Sequence, residues 1–273
     1  MKVRFADMRS PEIEEVLKKS NVVILPVGST EQHGKHLPVN FDAFSVTYLA
    51  EEAAKKVTAE NDVHVLVAPT VAYGEAFGGP PFERPRPGDI SISLDISIGL
   101  ITDILRSLVL QGFKNILVLN GHWQNTPPIS IAIRKVQLEF SDIGLFAANS
   151  YNLAQDVWDS VCNGGKEVQG HAGERETAVA LAIEPENVRM EDAVYEGSHG
   201  MSLPPKFMTP IGRGLVFCNT RVPGLRVSGL HLKGSVPATK EAGEKINTAV
   251  IDVLAEMIVA IAQSESMKHE EKD

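Results

Sequence analysis

The chain has 273 residues, of which 43% are hydrophobic and 22% charged, and its formal net charge is −9. That balance suits a globular chain able to bury a sizeable core without disulfides or structural metal ions. The acidic charge and the absence of a Lys/Arg-rich run argue against nucleic acid as a partner, because phosphate binding needs clustered positive charge. Only two cysteines, Cys162 and Cys218, are present and they lie far apart, which is typical of a reducing compartment.

The N-terminal segment MKVRFADMRSPEIEEV has no long apolar run and reaches acidic residues quickly, unlike a secretory signal peptide. No segment approaches the roughly 20 uninterrupted apolar residues that a membrane-spanning helix needs. We therefore expect a cytoplasmic protein that binds neither membranes nor nucleic acid.

The first half of the chain alternates between short apolar runs, which predict buried strands, and segments with helical apolar spacing. A Gly/Pro-rich stretch at 74–88 interrupts the alternation and predicts irregular structure. The predicted strands are 22–27, 63–69, 115–119 and 143–148, and the predicted helices are 44–57, 95–110 and 128–140. This alternation predicts an α/β fold with a parallel sheet and helices on both faces, in which ligands bind beyond the carboxyl ends of the strands.

The second half is less regular. Helical patterns at 173–183 and 239–262 flank a Gly- and Pro-rich stretch, 184–237, that predicts loops and a hairpin. Because no internal repeat or linker is visible, residues 1–263 are predicted to form a single domain, followed by a polar tail at 264–273.

Polar residues follow the first predicted strand. Glu31 and His33 are two positions apart, so in an extended segment their side chains point to the same side. Asp42 comes after a loop, near the start of the next predicted helix. It either ligates a metal ion together with Glu31 and His33 or caps that helix. His36 lies in the same loop and either lines the site or has a structural role.

Two further polar clusters occur along the chain. The motif Asn-Gly-His at 120–122 follows the third predicted strand, and its glycine permits a tight turn from which His122 projects. The motif His-Ala-Gly-Glu-Arg-Glu-Thr at 171–177 lies at a predicted helix start. There His171 and Glu174 are candidate general acid/base residues, and either Glu174 or Glu176 is a candidate metal ligand, the other being favoured at that position by the helix dipole.

Together these clusters predict a divalent-metal site made by side chains from three distant stretches of the chain. Mixed imidazole and carboxylate ligands suit Zn, Mn or Fe in the +2 state, held either as one ion or as two ions sharing a carboxylate. Such an ion lowers the pKa of a bound water and polarises a substrate carbonyl. The expected ligands are Glu31, His33, Asp42, His122 and Glu174 or Glu176.

The order of these motifs resembles the creatininase family of metal-dependent amidohydrolases. Residues from about 20 to 185 carry the resemblance: E-x-H, an Asp eleven residues after the Glu, N-G-H, and H-A-G-E-x-E-T. The resemblance implies a three-layer α/β/α sandwich around a mainly parallel sheet, and assembly as a homo-oligomer, for example a hexamer. It also implies hydrolysis of cyclic amides, formamides or related carbonyl compounds with Zn, Mn or Fe.

The resemblance also implies roles for individual residues. His171 looks like the proton donor or shuttle. Trp123 either packs in the core or walls the substrate pocket, and it is predicted together with Gln124 and His36 to contact substrate. Creatininase has a Glu where this chain has Gln124, which leaves creatinine as substrate and a second metal site open. The metal ligands it implies are Glu31, His33, Asp42, His122 and Glu176.

The predicted function is metal-dependent hydrolysis of the C–N bond of a small polar cyclic amide or formamide. Zn²⁺ is the expected cofactor, with Mn²⁺ and Fe²⁺ as alternatives and one or two ions per subunit. Two other hypotheses stay open: hydrolytic C–C ring opening of a cyclic diketone, as by a 3-dehydro-scyllo-inosose hydrolase, and a non-catalytic metal- or ligand-binding protein. The Pro-rich loop at 78–88 and the histidines His199 and His231 have no assigned role, although either histidine could contact substrate.

Overall fold

A computed structural model describes residues 2–61, 63–76, 87–164, 171–193 and 237–264. Within these residues the chain forms one four-stranded sheet with the order β2-β1-β3-β4, and all three neighbouring pairs are parallel. The strands are β1 (Val22–Val27), β2 (Leu66–Val67), β3 (Asn115–Asn120) and β4 (Gly144–Asn149).

Helices cover both faces of this sheet. They are α1 (Ser10–Leu17), α2 (Phe41–Glu60), α3 (Leu94–Gln111), α4 (Thr126–Glu139), α5 (Gln155–Val161), α6 (Glu174–Ile183) and α7 (Lys240–Gln263). A short 3₁₀ turn, Trp123–Asn125, separates β3 from α4.

The core is divided by the sheet because successive strand side chains point to opposite faces. On one face, Ile24 and Leu117 pack with residues of α2, α6 and α7. On the other face, Leu25 and Val118 pack with residues of α1, α3 and α4. All residues of β1 and β3 are buried, as expected for central parallel strands covered on both sides. The predicted α/β/α sandwich is therefore confirmed.

The predicted elements agree closely with the observed ones where the apolar pattern is long. The first strand is observed with the predicted bounds, and α3, α4, α6 and α7 begin and end within two residues of their predictions. The second strand was predicted too long. Pro69 has no N–H to donate, and pairing with β1 resumes only at Val71, whose amide donates to the Pro26 carbonyl at 3.0 Å. The short helices α1 and α5 were not predicted, since neither is long enough for a clear helical period.

Helix α7 is long and apolar enough, by length and composition, to cross a membrane. It nevertheless packs on one face of the sheet, where Ile246, Val250, Leu254 and Ile258 are buried among residues of α2 and α6. A core helix passes the same test of length and hydropathy. The expectation that the protein does not bind membranes stays a prediction.

Several predictions fall on residues outside the described part of the chain. These are most of the loop at 78–88, the greater part of the predicted loops and hairpin at 184–237, the tail after residue 264, and the residues Cys218, His199 and His231. The division into one domain and a tail stays a prediction.

Candidate metal centre

The centre lies beyond the carboxyl ends of β1 and β3. These strands pair in register, with Val27 opposite Asn120, so the loops that follow them leave the sheet side by side. The loop after β1 carries Glu31 and His33, and the turn after β3 carries His122. Asp42 joins them from the first turn of α2. Two adjacent parallel strands thus bring distant stretches of sequence to one place.

One group of potential ligands consists of Glu31, Asp42 and His122. Nδ1 of His122 lies 2.8 Å from Oδ2 of Asp42 and 3.3 Å from Oε2 of Glu31. The three side chains are 0–4% exposed, and their potential ligand atoms all lie within 4.8 Å of one another. Two carboxylates and one imidazole are a common donor set for Zn²⁺ and similar ions.

A second group consists of His33, His171 and Glu176. Nε2 of His33 lies 3.9 Å from Oε2 of Glu176, and the rings of His33 and His171 are 4.4 Å apart. Asp42 connects the two groups, because its Oδ1 lies 3.3 Å from Nε2 of His33 while its Oδ2 faces His122. A carboxylate placed in this way is suited to bridge two ions.

The hydrogen bonds of the two imidazoles show which ring nitrogens are available to an ion. Nδ1 of His33 lies 2.9 Å from the Glu31 carbonyl, and Nε2 of His122 lies 2.8 Å from the Glu75 carbonyl. Carbonyl oxygens only accept, so these ring nitrogens donate. The other nitrogen of each neutral ring then directs its lone pair at Asp42. Metal-ligating histidines are typically oriented by such carbonyl contacts.

The buried negative charge of the carboxylates favours a positive charge at the centre. Burial lowers the pKa of His33 and His122, but the negative charge of Asp42 outweighs it and raises the pKa of His33 to about 10 and of His122 to about 9. Burial raises the pKa of Asp42, yet the two imidazoles hold it well below its usual range. Without an ion, protons must occupy the space between these groups. Nε2 of His33 and Oδ2 of Asp42 are nevertheless buried without a partner in hydrogen-bond geometry among the described residues. The donor set therefore fits a divalent cation.

The two acids at the start of α6 have different surroundings. Burial raises the pKa of Glu176 to about 7, against the opposing charge of His33 beside it. The carboxylate of Glu174 instead accepts from the backbone amides of Asn163 and Gly164, at 2.8 Å each. Glu174 belongs to neither ligand group. The structure thus favours Glu176 as the ligand, and a catalytic role for Glu174 has no supporting contact with the centre in the described residues.

His171 lies between the centre and the Gln32 loop. Its Nε2 is 2.6 Å from the Gln32 carbonyl and 3.6 Å from Oε1 of Glu31. Burial, reinforced by the charge of His33, holds the pKa of His171 well below its usual value. At neutral pH the ring is therefore uncharged. The same Nε2 also lies 2.9 Å from Nε2 of Gln32, so Gln32 offers this nitrogen both an acceptor and a donor.

The residues predicted to contact substrate occupy different environments. Trp123 is 43% exposed and Gln124 is half-buried, and both follow His122 directly on the 3₁₀ turn. His36 is only 1% exposed and its Nε2 lies 3.0 Å from Oγ1 of Thr177. His36 is thus held against α6. The substrate contacts of all three residues stay predictions.

Other contacts that support the centre were not predicted from the sequence. Oδ1 of Asn120 accepts from the His122 amide at 3.0 Å, and its Nδ2 donates to Oδ1 of Asn149 at 2.9 Å. The sequence could have indicated the Asn120 contacts, since Asn120 belongs to the Asn-Gly-His motif. The contacts of the Glu75 and Gln32 carbonyls could not have been predicted, because every residue type carries a backbone carbonyl.

Comparisons with known proteins found relatives that match most of the chain. A family model described as creatinine amidohydrolase (creatininase) matches residues 6–258. The 3-dehydro-scyllo-inosose hydrolase of Thermotoga maritima is 33% identical over 70% of this chain, which spans only 60% of that relative's length. The creatinine amidohydrolase of Pseudomonas putida is 26% identical, over 87% of this chain and 88% of its own.

Solved structures show the same fold. A mutant creatininase of "Zn-Zn type" matches 96% of this chain and 99% of its own with a TM-score of 0.77 at 22% identity. A structure named "Creatininase Mn" matches 96% of this chain and all of its own, with a TM-score of 0.76 and 22% identity.

Proposed function

Since the chain belongs to the creatininase family of metal-dependent hydrolases, we propose that it hydrolyses the C–N bond of a small polar cyclic amide or formamide. The observation that supports this most directly is the convergence of two imidazole lone pairs and three carboxylates on one buried space. The creatinine amidohydrolase of Pseudomonas putida, which aligns over nearly its whole length, supports the choice of an amide bond.

The residues that would hold the metal are divided between the two groups. Glu31, Asp42 and His122 would hold one ion, while His33 and Glu176, with Asp42 shared, would hold a second. We propose Zn²⁺, and Mn²⁺ or Fe²⁺ satisfies the same donors. When bound, such an ion lowers the pKa of a water molecule and polarises a carbonyl.

His171 is proposed as the proton shuttle: its uncharged ring takes a proton from the attacking water and passes it to the leaving nitrogen. It is uncharged at neutral pH, its Nε2 is held by the Gln32 carbonyl, and its ring lies against His33. A positioned imidazole of this kind contributes typically 10²–10⁴-fold to hydrolysis. Trp123, exposed beside His122, offers an aromatic wall against which a flat, polar ring can pack.

A second candidate function is hydrolytic C–C ring opening of a cyclic diketone such as a keto-inositol. The higher sequence identity to the Thermotoga maritima 3-dehydro-scyllo-inosose hydrolase, 33% against 26%, favours it. The same groups would serve both reactions, because each begins with attack of water on a carbonyl carbon. They differ in the leaving atom, which is nitrogen in one case and carbon in the other. A homo-oligomeric state and a cytoplasmic location stay predictions.

The deciding experiment combines metal analysis with product analysis. Purified protein is stripped with chelator, reloaded with Zn²⁺, Mn²⁺ or Fe²⁺, and offered creatinine, other cyclic amides, formamides and keto-inositols. At neutral pH, C–C hydrolysis yields a carboxylic acid and releases about one proton, whereas amide hydrolysis also yields an amine that can take up the proton. A pH-stat with mass spectrometry therefore separates the two reactions.

Two variants serve as controls. His122→Ala should lose both metal and activity, whereas His64→Ala should lose neither, because His64 contacts the Lys2 carbonyl away from the centre. Full activity after exhaustive metal removal would contradict the proposal. So would the absence of turnover on every class of substrate by metal-loaded protein.

A further inference from the structure

Two glycines, Gly28 and Gly121, stand where β1 and β3 end beneath the first turn of α2. A Cβ atom on Gly28 would lie 2.6 Å from both N and Cα of Ala43 and 2.8 Å from the carbonyl carbon of Asp42. A Cβ atom on Gly121 would lie 2.7 Å from the Asp42 carbonyl oxygen and 2.8 Å from Cβ of Val46. Neither glycine has a positive φ, so the requirement is for space rather than for a left-handed conformation.

The strand ends have little freedom to move away from α2. The Gly28 amide donates to the Val71 carbonyl at 2.8 Å, and its carbonyl accepts from Nδ2 of Asn125 at 2.9 Å. The Gly121 amide donates to the Val27 carbonyl at 2.8 Å. Added atoms would therefore meet two backbones that are each held by hydrogen bonds.

Helix α2 is fixed in the same way on its other side. Val46, Ala50, Ala53 and Val57 are fully buried in the core between the sheet, α6 and α7. The most direct way to admit a Cβ atom is to lift the first turn, which carries Asp42. Since metal–ligand distances tolerate only about ±0.2 Å, such a shift would disturb ion binding before it disturbed the fold.

We propose that Gly28 and Gly121 are positioning residues of the metal centre: by admitting the first turn of α2 close to the ends of β1 and β3, they place Asp42 where it faces both His122 and His33. This inference rests on the proposed function, because it concerns metal binding at the same site. It differs from a general packing role in predicting that metal affinity falls more than stability.

Two other glycines provide matched controls for the same substitution. A Cβ atom on Gly99, within α3, would meet nothing within 4 Å. A Cβ atom on Gly144 would lie 2.7 Å from Oδ1 of Asn115 and 2.7 Å from Cε2 of Phe146, at the amino end of β4 and thus at the sheet edge opposite the centre. Gly99→Ala therefore tests the chemical change alone, and Gly144→Ala tests crowding at the end of the sheet opposite the centre.

The experiment measures Zn²⁺ affinity and stoichiometry by chelator competition in the full-length protein, together with thermal unfolding of the metal-free form. Gly28→Ala and Gly121→Ala should each weaken Zn²⁺ binding by about 10–100-fold, the range seen when groups that orient metal ligands are lost. They should remain folded at the temperature of the titration. Gly144→Ala should lower the unfolding midpoint with little change in Zn²⁺ affinity. Gly99→Ala should leave the affinity unchanged and raise the midpoint slightly, because alanine is favoured over glycine inside a helix.

Unchanged Zn²⁺ affinity in both site variants would overturn the inference. So would an equal loss of affinity in Gly144→Ala, or failure of both site variants to fold, since each outcome would assign the glycines to the fold in general. If the unaltered protein bound no Zn²⁺, Mn²⁺ or Fe²⁺, the proposed function itself would fail. That result differs from one in which the unaltered protein binds metal and the glycine variants bind it equally well, which would overturn the inference alone.

Discussion

The two ligand groups of the centre differ in how deeply they are set into the fold. Glu31, Asp42 and His122 are at most 4% exposed and come from strand ends and a helix that are fixed by the core. In the second group, His33 is equally buried, but the side chain of Glu176 is 27% exposed. The first group is thus buried and fixed by the core, while the second group is partly exposed to solvent. Among the described residues, the Glu176 side of the centre is therefore the more accessible to solvent.

The largest effect is expected from the residue shared by both groups. Asp42→Asn removes the negative charge that faces both imidazoles and one of the two oxygens that can ligate an ion. We expect loss of metal from both groups, and a fall in activity of more than about 10³-fold, because the variant keeps at best residual catalysis from binding alone. Metal content and steady-state kinetics on the substrate found by screening provide the measurement. Retention of one full equivalent of metal would show that the groups are independent.

Substituting one carboxylate in each ligand group should show how much each group contributes to metal binding. We expect Glu31→Gln to weaken metal binding at least about 100-fold, more than loss of an outer contact, because no solvent can replace the charge. Glu176→Gln should cost less, since water can reach its place, and should remove one equivalent of metal at most. Equilibrium metal titration of both variants tests this order. A larger effect of Glu176→Gln would reverse the assignment of the rigid group.

The metal-free protein should have an unusual dependence on pH. The folded-state pKa of His33 is about 10 against an ordinary 6.5, so its contribution to stability is complete below pH 6.5 and is lost as pH rises toward 10. The pKa of His122 is raised in the same direction, to about 9. The pKa of Glu176 is raised from 4.5 to about 7, so its contribution also declines with rising pH.

Thermal unfolding of metal-free protein should therefore give a lower midpoint at about pH 9 than at about pH 6. Metal-loaded protein should show a weaker or opposite trend over the same range, because ligands must lose protons to bind an ion. Identical curves with and without metal would contradict the assignment of these residues to the centre.

The smallest effect is expected at Glu174, next to the second group but not in it. Its carboxylate holds the amides of Asn163 and Gly164, so Glu174→Gln should lower the free energy of unfolding by about 1–3 kcal/mol. Metal affinity should change little. Urea unfolding and metal titration of one preparation test both statements. A loss of activity of 10²-fold or more, with metal retained, would instead support a catalytic role.

The order of strands and helices followed from the sequence where the signal is local. Val22–Val27 and Asn115–Asn120 are apolar runs buried on both faces, and each is followed by glycine and polar residues. Such a pattern predicts both a central strand and a ligand at its carboxyl end. The short helices α1 and α5 could not be predicted, because seven or eight residues are too few to show a clear helical period.

Tertiary structure decided what the residue types left open. Glu174 and Glu176 are two positions apart, and on a helix of about 3.6 residues per turn they point roughly 200° apart, so only one can face His33. The phase of α6 against the sheet made that choice. The tautomer of His122 was likewise decided by the Glu75 carbonyl, which is 47 residues away in sequence. The local apolar pattern predicts which helices and strands form. Which side of a helix faces the centre, and which backbone groups surround it, depends on how distant segments pack.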